Sequence, residues 1–131
     1  MNKLYTVLYT VLFFACSPNI TRDDASIGFS NENYDFGIIQ YKKEAAYSFE
    51  FTNLGKTMLI INDVKTSCGC TVPEWPKSPI HPGEKGKIKI KYDAAFPGVF
   101  HKTMEVFYNG ADSPHSLEIK GEVKYPKDNQ L

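Results

Sequence analysis

Two cysteines separated by a single glycine, Cys68-Gly69-Cys70, are the residues of this sequence best equipped for chemistry. A disulfide between positions two apart closes a small ring. The preferred dihedral of about 90° is reached there only by distorting the backbone, which glycine at the middle position tolerates best. A bond held in such a ring is easily reduced, as a redox couple requires and a structural staple does not. Four uses are open to the pair. The plainest is packing, as buried thiols or a local clasp, because free cysteine behaves as a small hydrophobe. The second is thiol redox, in which the leaving thiolate needs a positive neighbour, and Lys65 and His81 could supply one. The third is capture of a soft metal, copper(I) or zinc, with His81, Met58 or Met104 as further ligands. Two cysteines alone fall short of the ligand set of structural zinc. The fourth is a bond to a partner's cysteine.

Other side chains offer less. Trp75 stands in the Pro-rich stretch Pro73-Glu74-Trp75-Pro76-Lys77, where it could anchor a partner or close a lid over the core. His101 falls on the polar side of an alternating run near Glu105 and reads as an exposed histidine, and His115 follows Pro114 in a turn. The sequence has no serine nucleophile elbow, zinc-protease helix or Gly-rich phosphate loop. Asp23-Asp24 is too short a run for calcium. No catalytic residue, no resident metal and no cofactor are therefore expected. Fifteen Lys and Arg balance fifteen Asp and Glu, which leaves no electrostatic footprint for nucleic acid.

These residues must be positioned by one small domain, since the chain has 131 residues. An aromatic content of 14%, mostly Phe and Tyr, favours strands. From Ser26 onward, short runs of alternating apolar residues are separated by Gly, Pro, Asn and Asp, with no helical stripe. The first stretches, 26–30 and 34–39, carry Ile27, Phe29, Tyr34, Phe36 and Ile38. The run 45–53 sets Ala45, Tyr47, Phe49 and Phe51 against Ser48, Glu50 and Thr52. Next come 58–66 and 85–92, the latter alternating Ile88, Ile90 and Tyr92 with Lys87, Lys89 and Lys91, a solvated face. The runs 99–108 and 117–124 complete about seven strands, with turn signals such as Pro82-Gly83, Pro97-Gly98 and Asn109-Gly110 between them. The pattern points to an all-β, immunoglobulin-like two-sheet sandwich over residues 26–125, with a tail at 126–131. The Cys, Trp, Cys framework of antibody domains is missing, and Trp75 lies in a loop.

Ahead of the domain, Lys3 is followed by an apolar run from Leu4 to Ala15, the anatomy of a signal peptide over residues 1–15. As a helix the run would be about 18 Å long against a hydrocarbon core of about 30 Å, so it does not span a bilayer comfortably. The run ends Leu12-Phe13-Phe14-Ala15-Cys16 and then turns polar, which resembles a bacterial lipobox, although Phe13 and Phe14 are bulky for it. The resemblance implies that Cys16 becomes a lipidated first residue, with 16–25 as a flexible tether. The membrane would then be contacted through acyl chains alone. Ser17 after the cysteine is similar to the sorting signal for the outer membrane. An exported protein anchored in the bacterial cell envelope is the expected setting.

The ordered residues Asp35-Phe36-Gly37, Phe49-Glu50-Phe51-Thr52-Asn53-Leu54-Gly55, Ser67-Cys68-Gly69-Cys70-Thr71, Pro79-Ile80-His81-Pro82-Gly83-Glu84 and Gly98-Val99-Phe100-His101-Lys102 resemble a bacterial family of unknown function, DUF1573. The resemblance implies a small immunoglobulin-like domain on exported proteins and lipoproteins. It also implies kinship with sandwich domains of pilus chaperones and of cilium or centrosome proteins, which bind through sheet edges and loops. A non-catalytic binding module with a protein or glycan partner is the expected function, and a soft-metal or thiol-redox handler built on Cys68 and Cys70 is its rival.

Overall fold

The structure is a computed structural model that describes residues 24–127. The signal segment, Cys16 and the last four residues lie outside the described residues.

Eight strands follow one another: β1 (Ile27–Phe29), β2 (Asn33–Gln40), β3 (Glu44–Asn53), β4 (Ile61–Thr66), β5 (Thr71–Glu74), β6 (Lys85–Asp93), β7 (Gly98–Tyr108) and β8 (His115–Lys124). One sheet has the order β1-β3-β6-β5 and the other β2-β8-β7-β4. All pairings are antiparallel except β2 with β8. The expected sandwich is present. Its inner faces hold the alternating residues read from the sequence: Phe49 and Phe51 of β3, Ile88 and Ile90 of β6, Met104 and Val106 of β7, and Leu117 and Ile119 of β8 are all buried. Each such side chain contributes about 1.5–3 kcal/mol by leaving water. Tyr92 and Phe100 stack across the two sheets with ring centroids 3.9 Å apart. The lysines of β6 face outward, where Lys87 meets Glu50 at 3.2 Å and Lys91 meets Glu74 at 3.2 Å.

Two elements differ from the alternation. In β2 the inward order is Tyr34, Phe36, then Ile39, while Ile38 is 67% exposed and Ile39 only 8%. The cause is a bulge between Asp35 and Ile38, at which Gly37 takes φ +65° and donates its N–H to Asp35 Oδ1 at 2.8 Å. One extra residue reverses the side of everything after it. The second difference is β5, a strand where the sequence reads as a Pro-rich loop. The run 58–66 is shorter than expected, with strand pairing from Ile61 onward and an isolated bridge between Leu59 and Ile80 before it.

At the end of β3, Asn53 is 1% exposed and organises the connection. Its Nδ2 donates to Thr57 O and Ile80 O at 2.8 and 2.9 Å, and its Oδ1 accepts from Gly55 N–H at 3.0 Å.

Candidate functional site

The chain passes from the edge of one sheet to the edge of the other between Thr66 of β4 and Thr71 of β5, and the two cysteines sit in this crossover. Cys68 and Cys70 are joined in a disulfide, with Sγ atoms 2.07 Å and Cα atoms 5.4 Å apart. Backbone bonds fix the loop on both sides. Ser67 N–H donates to Thr103 O at 3.0 Å, and Asp93 N–H donates to Cys70 O at 2.9 Å. The carbonyl of Cys68 accepts from Thr66 Oγ1 at 2.8 Å and from Thr71 N–H at 3.5 Å. Thr71 is itself buried, with its Oγ1 3.7 Å from Cys68 Sγ. Closing so short a loop stabilises by about 1.6 kcal/mol in the chain-entropy picture, while each surrounding hydrogen bond contributes about 1 kcal/mol. The crossover is therefore held chiefly by its hydrogen bonds.

The two sulfurs are not equivalent. Cys70 packs against the core, whereas Cys68 is half-buried outside that packing. Gly69 is exposed, and a Cβ built on it would meet nothing within 4 Å, so the loop tip is open to approach.

The residues expected to assist the pair are dispersed. His81 precedes β6, Cys70 lies beside its last residue Asp93, and the nine residues between Lys85 and Asp93 span roughly 25 Å. His81 is occupied at that far end, with Nδ1 3.5 Å from Glu84 Oε2 and its N–H donating to the same oxygen at 3.0 Å. Met58 belongs to the same end, where its carbonyl accepts from Asn109 Nδ2 at 2.9 Å. Met104 is fully buried in the core. Lys65 sits over the Phe107 ring at 4.8 Å. Among the described residues no group of three or more His, Cys, Asp or Glu is placed to hold a metal ion. The residues that do surround the clasp are Thr66, Ser67, Thr71, Asp93 and Thr103. Thr66, Ser67 and Thr71 flank the cysteines in sequence, whereas Asp93 and Thr103, which sequence reading missed, arrive through strand pairing.

Trp75 is half-buried and packs one side of its ring system against the core. Lys77 Nζ lies 3.0 Å from the ring centroid, and the indole Nε1 is buried without a hydrogen-bond partner. His101 pairs with Glu118 at 3.0 Å across the strands, not with Glu105. His115 opens β8, where it contacts Glu32 at 2.9 Å and lies against Phe29 with centroids 5.0 Å apart.

Sheet edges are the other surfaces able to bind. The Asp93-to-Cys70 bond fixes the register of β5, so that Thr71 and Pro73 turn their backbones to the open side. Thr71 N–H is already used by Cys68 O, and proline has none, so this edge offers no free donor. On β4, Val64 N–H is taken by Asp63 Oδ1 at 2.9 Å. β1 has only three residues. β2 is different: eight residues long, it receives the Glu118 N–H on Glu32 O, which leaves the N–H and C=O of Asn33 and Asp35 pointing away from β8. Beside it, exposed Ile38 and Val99 flank Glu122 on the outer face of the sheet.

Architecture places the domain among immunoglobulin-like and PapD-like two-sheet sandwiches. The family model of DUF1573, described as a protein of unknown function, matches residues 27–123, and the chain belongs to that family. A protein of unknown function from Porphyromonas gingivalis W83 superposes with a TM-score of 0.67 at 17% identity, over 75% of this chain and 46% of that one. The ASH/PapD-like domain 7 of human CEP192 gives 0.69 at 9% identity, over 95% and 100%. The Vibrio cholerae VesB protease gives 0.58 at 16% identity, over 76% and 31%. At these identities the likeness is one of fold. This chain thus spans less than half of the Porphyromonas protein. A search of curated proteins finds no match.

Proposed function

We propose that the chain is an exported lipoprotein, anchored through acyl chains on Cys16, whose sandwich acts as a non-catalytic binding module in the bacterial cell envelope. The leader from Met1 to Ala15 and the cysteine that follows support the anchor. Ser17 favours the outer membrane, and residues 17–23 form the tether, which is shorter than expected because Asp24 is half-buried and Ala25 is packed in the core. Among the described residues no helix is long and apolar enough to cross a membrane. The acyl chains hold the domain at the membrane in this reading.

The observation that carries the binding role is the open edge of β2. An extended segment of a partner protein adds to it as a further strand, bonding to the backbones of Asn33 and Asp35 while its side chains reach Ile38. Proline at Asn33, the first residue of an edge strand whose N–H faces outward, is compatible with the fold and removes one donor. In a pull-down from solubilised membranes of the producing cell, wild-type chain is expected to retain a partner that Asn33→Pro loses, with unchanged thermal unfolding. Equal recovery by both chains, or none above background, would count against the edge as the binding surface.

A further inference from the structure

We propose that Cys68–Cys70 is an exchange-active disulfide that accepts electrons from an exported protein dithiol, with Cys68 Sγ as the sulfur attacked. Three observations converge on it. The bond links positions only two apart, a loop so short that the chain-entropy stabilisation lost on reduction is small. Cys68 lies outside the core packing that engages Cys70, and Gly69 beside it faces open space, so a thiolate on another protein can approach Cys68. Finally, the loop is tied by its backbone and by Thr66, Thr71, Asp93 and Thr103, none of which uses a covalent link between the sulfurs. Breaking the bond leaves those ties in place, as a couple that cycles without unfolding requires.

The exchange balances as follows. A partner thiolate attacks Cys68 Sγ, the Cys68–Cys70 bond breaks, and Cys70 departs as a thiolate that takes a proton. The partner's second thiol, deprotonated, then attacks the partner sulfur of the mixed disulfide and releases Cys68 as a thiolate, which is protonated in turn. Two electrons and two protons pass to Cys68 and Cys70, and the partner dithiol becomes a disulfide. The β5 edge beside the clasp, lacking a free N–H, does not compete for the incoming chain by strand pairing.

The test uses the full chain carrying Cys16→Ser, so that Cys68 and Cys70 hold its only sulfhydryl sulfurs and the outcome is independent of anchoring. Dithiothreitol without denaturant is expected to reduce the bond fully, read by intact mass after alkylation, with circular dichroism and thermal unfolding still native. Resistance until denaturant is added, or loss of the fold upon reduction, overturns the proposal. Single-cysteine chains assign the attacked sulfur. With glutathione disulfide, Cys70→Ser is expected to form a mixed disulfide roughly threefold or more faster than Cys68→Ser, and a smaller ratio or the reverse order overturns the assignment to Cys68.

Discussion

Asn53 carries more of the fold than any cysteine in the domain. Its side chain satisfies Thr57 O, Ile80 O and Gly55 N–H from a buried position, so Asn53→Ala strands Ile80 O in the interior and unties Thr57 O and Gly55 N–H at its rim. A loss of about 3 kcal/mol is expected, read as a shift of the urea midpoint at unchanged slope. Cys70→Ser, which opens only a three-residue loop, is expected to cost less, about 1.6 kcal/mol or under in the same titration. Gly121 gives a third comparison. A Cβ there would lie 2.7 Å from Phe100 Cζ and 2.9 Å from Gly37 O, and the carbonyl belongs to the β2 bulge and has little room to yield. Gly121→Ala is expected to destabilise by about 1–3 kcal/mol.

Strands were legible wherever one face is apolar and the other polar without interruption. That describes β3, β6, β7 and β8, whose inward residues are those that alternation selects. Alternation fails at Gly37, because a bulge depends on a positive φ that sequence periodicity does not register, and strict alternation points Ile38 inward where Ile39 belongs. It failed also at β5, where a proline argues against a strand unless the strand is known to be an edge with that residue facing out. The cysteine pair was legible as a site because its chemistry is local. Its surroundings were not, since Asp93 and Thr103 reach it across pairings 23 and 36 residues distant in sequence and His81, near in sequence, ends at the other pole of β6. Pro73 itself has an edge-protecting role. Pro73→Thr would restore an outward N–H on β5 and is expected to raise the self-associated fraction in light scattering, with thermal unfolding nearly unchanged at low concentration.

At the scale of the molecule, two buried phenols make stability sensitive to alkaline pH. Burial pushes Tyr92 and Tyr108 above the ordinary value of 10.0, with Asp93 and Asp112 adding smaller effects in the same direction. Lys91 is also raised above 10.5, by its hydrogen bond to Glu74 and then by the charges of Glu74 and Glu44. Above about pH 10 the folded chain keeps at each of these groups a proton that the unfolded chain has lost, so the stability these three groups contribute is level below that pH and falls as pH rises through it. Melting temperatures across pH 9 to 11 are expected to drop, and Tyr92→Phe is expected to flatten that drop.

Export and lipid anchoring of the sandwich are both tested by the intact mass of the protein extracted from membranes of the producing cell. The expected species begins at Cys16 and carries added acyl mass. A chain that retains residues 1–15, or one that starts at Cys16 without acyl mass, would contradict the anchor and return the domain to a setting in which the envelope role has no support.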